Sequence, residues 1–128
     1  MSTPSSERKK PGESGKRTQG RKFEELAARY YERNGFKVLE RNWRAGRKEL
    51  DLIVRKGNLI VFVEVKSAYS REFGHPSERI DAHKIRNLTA AAQQYLIANA
   101  IGRADLRFDV VTFVNGILEH YADAFPVE

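Results

Sequence analysis

The sequence has no cysteine, one methionine and one tryptophan. Without Cys there can be no disulfide scaffold, no Cys-ligated zinc or iron–sulfur centre, and no thiol nucleophile. No apolar run approaches the roughly 20 residues needed to span a bilayer. The N-terminus lacks the apolar stretch of a secretory signal, so a cytoplasmic protein with no membrane partner is expected. A phosphate-cradling Gly-rich loop is also missing, which leaves nucleotide hydrolysis without support. The three histidines (His75, His83, His120) form no local metal motif and read as surface or structural residues. What remains is 128 residues with 41% hydrophobic and 31% charged content, suited to one soluble globular domain.

The formal charge of +6 and pI near 9.7 suggest a nucleic-acid partner, but the distribution matters more than the total. Residues 1–22 alone carry a net +5, leaving +1 for everything after them. The first nineteen residues are rich in Ser, Pro, Gly and Lys, the composition of a disordered basic arm. Such an arm can bind phosphates non-specifically or simply be solvated. Within the rest, Arg29 to Arg71 carries a net +6, and Glu72 onward a net −3. The first half therefore offers the better polyanion-facing surface.

Ordered structure is expected from Gly20, with the folded domain spanning 20–128. Phe23, Leu26, Ala27, Tyr30 and Tyr31 recur at helical spacing, and Asn34-Gly35 supplies a stop. Phe36 to Asn42 reads as a strand. Lys48 to Arg55 and Asn58 to Ser67 are β-branched-rich runs about a Lys56-Gly57 turn. A polar loop containing Phe73, Gly74, His75 and Pro76 follows. Asp81 then caps a helix burying Ile85, Leu88, Ala91, Ala92, Tyr95 and Leu96, with Ile80 and Ile85 as a staple. Arg107 to Val114 and Ile117 to Tyr121 flank Asn115-Gly116, a strong hairpin signal. The order is helix, three strands, helix, two strands, with a mixed central sheet flanked by the helices.

The first hairpin carries the chemistry. Pairing about Lys56-Gly57 sets Leu52 opposite Val61 and Glu49 opposite Glu64, with Asp51 and Glu64 diagonal neighbours roughly 7 Å apart at Cα. Alternation places Glu49, Asp51, Glu64 and Lys66 on one face at one end. Leu59 to Val65 is apolar on both faces until Glu64, as in a central strand. A carboxylate and an ammonium at its end are partly desolvated unless paired or metal-bound. A plain ion pair of Lys66 with Glu64 or Asp51 is one reading. The other is a hard cation, Mg²⁺ or Mn²⁺, because no Cys or His accompanies the acids. Asp51, Glu64 and the Val65 carbonyl are the candidate ligands, and Lys66 the cation that stabilises developing phosphorane charge.

Asp51 followed by Glu64-Val65-Lys66 resembles the PD-(D/E)-x-K nuclease signature, with Leu50 where the name writes Pro. The wider pattern is similar to the YraN-like family of bacterial proteins, which resemble Holliday-junction resolvases. The resemblance covers roughly 20–125 and rests on Gly20 with Glu24 and Ala27, Gly35-Phe36, Arg41-Asn42-Trp43-Arg44 and Glu49-Leu50-Asp51-Leu52-Ile53. It continues through Val61-Phe62-Val63-Glu64-Val65-Lys66, Phe73-Gly74, Lys84, Arg107-Phe108-Asp109-Val110-Val111 and Ala124-Phe125. Arg47-Lys48 stands where that family usually has Gly-Gly. The resemblance implies a restriction endonuclease-like α/β fold and a Mg²⁺-dependent endonuclease acting on DNA. It also implies a junction-type substrate, Asp51 and Glu64 as metal ligands, Lys66 as catalytic cation, and Glu24 completing the site through water. The alternative is a nucleic-acid-binding module that keeps the fold without cutting. If junctions are the substrate, a symmetric homodimer is expected.

Other residues carry two readings each. Glu49, Ser67 and Asp109 can support the site from behind, or Ser67 can merely end a strand and Asp109 be an internally satisfied buried acid. Arg44, Arg47, Lys48 and Lys84 are candidate phosphate contacts, although surface cations are commonly inert. Trp43 between Arg41 and Arg44 can stack on a base or belong partly to the core.

Overall fold

The computed structural model describes residues 13–68 and 81–126, with side chains over 20–67 and 81–126. Residues 1–12, the loop containing Phe73 to Pro76, and Ile80 of the expected staple lie outside the described residues. The elements are α1 (Glu13–Arg33), β1 (Lys37–Ala45), β2 (Lys48–Lys56), β3 (Leu59–Ala68), α2 (Ala82–Ala98), β4 (Asp105–Val114) and β5 (Ile117–Phe125). This is the expected α/β order. One five-stranded sheet runs β1-β2-β3-β4-β5. All neighbours are antiparallel except β3 and β4, which are parallel and joined through α2. A parallel pair requires such a crossover, since a tight turn cannot reverse the chain twice.

Alternation along the central strands splits the interior into two cores. Ile60 and Phe62 join Ile53, Phe108 and Val110 beneath Leu88, Ala91, Ala92 and Tyr95 of α2. Val61 and Val63 join Leu52, Val54, Val111 and Phe113 against Ala27, Ala28 and Tyr31 of α1. Side chains at successive positions point to opposite faces, so β3 is apolar from Leu59 to Val63 because both faces are covered there. Trp43 settles on its packing reading, half-buried and edge-on to Tyr95 at 5.3 Å.

Turns and caps follow their residues. After α1, Gly35 takes φ +89°, and the Phe36 amide donates to the Tyr31 carbonyl, the left-handed helix stop that glycine favours. Asp81 caps α2 by accepting from the Lys84 amide at 2.9 Å. Asn115 and Gly116 both have positive φ, as a two-residue hairpin turn with right-handed twist demands.

Two expectations need correction. The α1 helix begins at Glu13 and not near Gly20, so residues 13–19 belong to a helix. That stretch has no apolar periodicity to announce it. Its Glu, Lys, Arg and Gln nonetheless have good helix propensity and extend a helix that packing has already nucleated. The β2–β3 register also differs. Leu52 pairs with Val63, Val54 with Val61 and Lys56 with Leu59. The turn residues are thus Gly57-Asn58, with Gly57 at φ +59°, and every partner shifts by two. A shift of two preserves which face each side chain occupies.

Asp109 is fully buried on the α1 side of β4. It accepts from the Tyr31 hydroxyl at 2.7 Å, Arg107 Nε and Nη2 at 2.8 Å, and the Asp123 amide at 3.0 Å, and pairs with His120 Nε2 at 2.7 Å. Burial alone raises its carboxyl pKa, but the bonds to His120, Arg107, the Asp123 amide and Tyr31 outweigh burial and hold it well below the usual range. The network ties α1 to β4 and β5. Because the folded pKa is depressed, its stabilisation is complete above the unfolded value of about 4 and fades as pH falls below that. Asp109→Asn is expected to cost about 2–4 kcal/mol in denaturant unfolding at pH 7. The loss should shrink when the melt is repeated near pH 2, whereas a constant loss would mean Asp109 is not ionised in the fold.

Candidate active site at the β2–β3 fork

The β2–β3 ladder runs out after Leu52↔Val63, one residue before Asp51 and Glu64. Continued by one step, that register sets the two acids opposite each other and not on a diagonal. Glu64 shares the face of Phe62, on the α2 side, whereas the alternation of β2 breaks beside Asp51: Leu50 and Ile53, three residues apart, both pack in the α2-side core. The fork is held by the acid itself, because the Val65 amide donates to Asp51 Oδ2 at 2.9 Å. The Val65 group tied to the acids here is its N–H; its carbonyl was the expected ligand.

Charge crowds at this point. Glu64 is only 6% exposed, and a buried carboxylate needs compensation. Lys84 Nζ lies 3.2 Å from Glu64 Oε2, and Lys66 Nζ lies 3.8 Å from the same oxygen. Asp51 has no ammonium within ion-pair distance among the described residues. Burial, then the Glu64 charge, then Glu24 push its carboxyl up to about 8, against the opposing Val65 amide. Glu24 reaches the cluster from α1. Its pKa is raised chiefly by burial, with Glu49 and Glu64 adding and an Asn42 side-chain hydrogen bond and Arg21 opposing.

Beside Glu24 a cavity of about 490 Å³ is lined by Gly20, Arg21, Glu24, Asn42, Arg44 and Glu49. Arg44 and Glu49 face each other across 3.7 Å with exposed or half-buried side chains. Arg47 and Lys48 are exposed at the β1–β2 turn. Ser67 is exposed near the end of β3, and Asp109 belongs to the separate network under α1. The structure thus brings together Glu24, Glu49, Asp51, Glu64, Lys66 and Lys84, and separates Asp109 from them. Asp109 stands level with Val63, on the sheet face opposite Glu64.

Two members of the site escaped the sequence reading. Asn42 sits within β1 at φ +53° and hydrogen-bonds Glu24. Arg21 lies one helical turn before Glu24 and lines the same cavity. An Asn between two strand arginines is a usable signal, because Asn tolerates the left-handed region better than other residues with a Cβ. Of the remaining histidines, His83 is exposed beside Asn87 and His120 serves Asp109.

The donor set fits a hard dication. It offers carboxylate oxygens only, in a cluster where neighbouring negative charge helps raise the Asp51 and Glu24 carboxyls and would be relieved by added positive charge. Among the described residues no group of three or more His, Asp or Glu encloses an ion by itself. Mg²⁺ commonly takes one or two carboxylates and completes its shell with water and phosphate, which is the coordination Asp51 and Glu64 could provide.

Comparison with known proteins agrees with the family expected from the motifs. The model of the uncharacterised protein family UPF0102 matches residues 23–113. A UPF0102 protein of Chloroherpeton thalassium is 36% identical over 115 residues, covering 85% of this chain and 89% of that protein. Relatives with the same family designation from Sulfurihydrogenibium and Syntrophomonas wolfei are 39% and 42% identical. They cover 88% and 80% of this chain, and 98% and 92% of their own lengths.

The raised Asp51 pKa has a consequence for stability. Between the unfolded value near 4 and the folded value near 8 the native state holds a proton the unfolded chain has lost, so stability falls as pH rises. Asp51→Asn removes that liability and keeps an acceptor for the Val65 amide. In metal-free buffer at pH 8 it is expected to stabilise the fold by roughly 1–3 kcal/mol, and to do little near pH 3. A lower melting temperature for the variant at pH 8 would contradict this.

Proposed function

We propose that this chain, which belongs to the UPF0102 family, is a metal-dependent nuclease that hydrolyses phosphodiester bonds in DNA. The observation that carries the reading is the meeting of Asp51 and Glu64 at one sheet fork, with Lys66 and Glu24 turned toward the same place. Asp51 and Glu64 would hold Mg²⁺ or Mn²⁺, which supplies Lewis-acid polarisation of a phosphate oxygen and a lowered water pKa. Glu24, reaching in from α1, is placed to order a water on the cluster. Lys66 projects its ammonium from the same face as Glu64 and would stabilise negative charge growing on the phosphorus-bound oxygens. Arg44 at the adjacent cavity, with Arg47 and Lys48 at the β1–β2 turn, would hold the flanking phosphates. They fix position without reading sequence.

Branched DNA is the substrate favoured by the likeness of the motif to junction resolvases. Cutting a four-way junction on two strands requires two sites, and hence a symmetric pair of chains. The second reading, a DNA-binding module that no longer cuts, is favoured by one observation. The described residues alone form no three-donor metal cluster.

Cleavage of linear, flapped and four-way DNA in Mg²⁺ or Mn²⁺ separates the two. Wild type is expected to cut, Asp51→Ala/Glu64→Ala to be inert, and Lys66→Ala to be slowed about 10²–10³-fold while still binding DNA. Equal cleavage by wild type and double variant would sink the enzyme reading. Binding without cleavage under all these conditions would establish the non-cutting module.

A further inference from the structure

Lys84 occupies a position that helix electrostatics disfavour. It lies in the first turn of α2, which contains no acidic residue, and its own amide is bound by the Asp81 cap at 2.9 Å. The aligned peptide dipoles put partial positive charge at that end, where an ammonium is repelled. Arg86 adds a further cation two residues on. The compensating contact is Glu64, whose Oε2 lies 3.2 Å from the Lys84 ammonium.

That oxygen is doubly served. Lys66 reaches it at 3.8 Å from the same strand face, while Lys84 arrives from a different element. The two ammoniums differ in exposure and attachment. Lys66 is 28% exposed and belongs to the same strand as Glu64, whereas Lys84 is 42% exposed and comes from the first turn of α2. Glu64 therefore has one cation from its own strand and one, more open to solvent, from a separate helix. Across the fork, Asp51 has no cationic partner among the described residues and is destabilised by the Glu64 and Glu24 charges.

We propose that Lys84 is a built-in counter-cation, holding on Glu64 the place a divalent ion would take and passing to a substrate phosphate when that ion arrives. The inference rests on the nuclease reading and deepens it by coupling metal occupancy to polyanion affinity. In the metal-free protein Lys84 neutralises Glu64 and competes with the dication for it. With the dication bound, Glu64 is neutralised from the other side, and the Lys84 ammonium is repelled both by the ion and by the helix N-terminus. A phosphate oxygen near the fork then becomes its best partner. By linkage, the metal strengthens DNA binding by the same factor by which DNA strengthens metal binding.

The test measures binding, with cleavage blocked. Mn²⁺ is titrated calorimetrically into DNA-free wild type, Lys84→Met, Lys84→Arg and Asp51→Ala. Affinity for a labelled four-way DNA is then measured with Ca²⁺ and with chelator. Lys84→Met is expected to bind Mn²⁺ roughly two- to fivefold more tightly than wild type, the range a partly exposed ion pair spans. It should also lose a comparable factor of the Ca²⁺-dependent gain in DNA affinity. Lys84→Arg keeps the charge and should stay near wild type in both. Mn²⁺ affinity unchanged or weakened in Lys84→Met, while Asp51→Ala loses Mn²⁺, would overturn this inference and leave the nuclease reading intact. No Mn²⁺ binding by wild type would overturn both.

Discussion

A carboxylate that is 6% exposed within a central strand, just past the point where its pairing with β2 stops, sets the terms for the rest of the site. Glu64 follows an apolar run that two helices cover, so it inherits burial from its neighbours, and a buried charge must be compensated. The protein compensates it on one side with Lys66 and Lys84. On the other side it sets a second carboxylate, Asp51, where the β2–β3 ladder stops and the Val65 amide turns to bind it. Two acids forced together, one well neutralised and the other pushed toward protonation, form an arrangement that costs stability and is relieved by a proton or, on the reading proposed above, by a divalent cation. Such a cost at a fork lined by further acids is typical of a functional position, where local rules of stability give way.

The two cores make this possible. α1 and α2 grip opposite faces of one sheet, and each delivers a charged side chain to the same end, Glu24 from one and Lys84 from the other. The position of α1 depends in turn on a second buried acid. Tyr31, one of its core residues, is bonded to Asp109, and Asp109 is bonded to β4 and β5. Tyr31 follows Glu24 by seven residues, close to two helical turns, so both stand on one face of α1. The described residues thus contain two desolvated aspartates of opposite character: Asp109, held ionised by several donors, and Asp51, bonded by the Val65 amide and pushed toward protonation by burial and the Glu64 charge.

Much of this was legible in the sequence because the signals were local. The helix stop at Asn34-Gly35, the Asp81 cap and the Asn115-Gly116 turn are fixed by residue chemistry. The double apolar face of β3 reveals a covered central strand. The grouping of Glu64 with Lys66 needed only the two-residue period of a strand, and Asp51 joins them where the alternation of β2 breaks and the Val65 amide binds it. What was illegible depended on longer range. Whether Lys56-Gly57 or Gly57-Asn58 forms the turn is a contest of nearly equal local preferences, decided by how the strands pack. The start of α1 leaves no apolar trace. Asp109 shares the strand pattern of a site residue, and only the face taken by Tyr31 and His120 removes it from the fork. Asn42 acquired its role through contact with a helix eighteen residues earlier.

The central claim is that Asp51 and Glu64 together receive a divalent cation. The most direct measurement is a crystal structure of the metal-free protein soaked in Mn²⁺, with anomalous scattering used to locate the ion. The account predicts one strong peak between the two acids, about 2.0–2.3 Å from an oxygen of each, with the Lys84 ammonium moved off Glu64. A saturated crystal with no peak at the fork, or with Mn²⁺ only elsewhere, would contradict it.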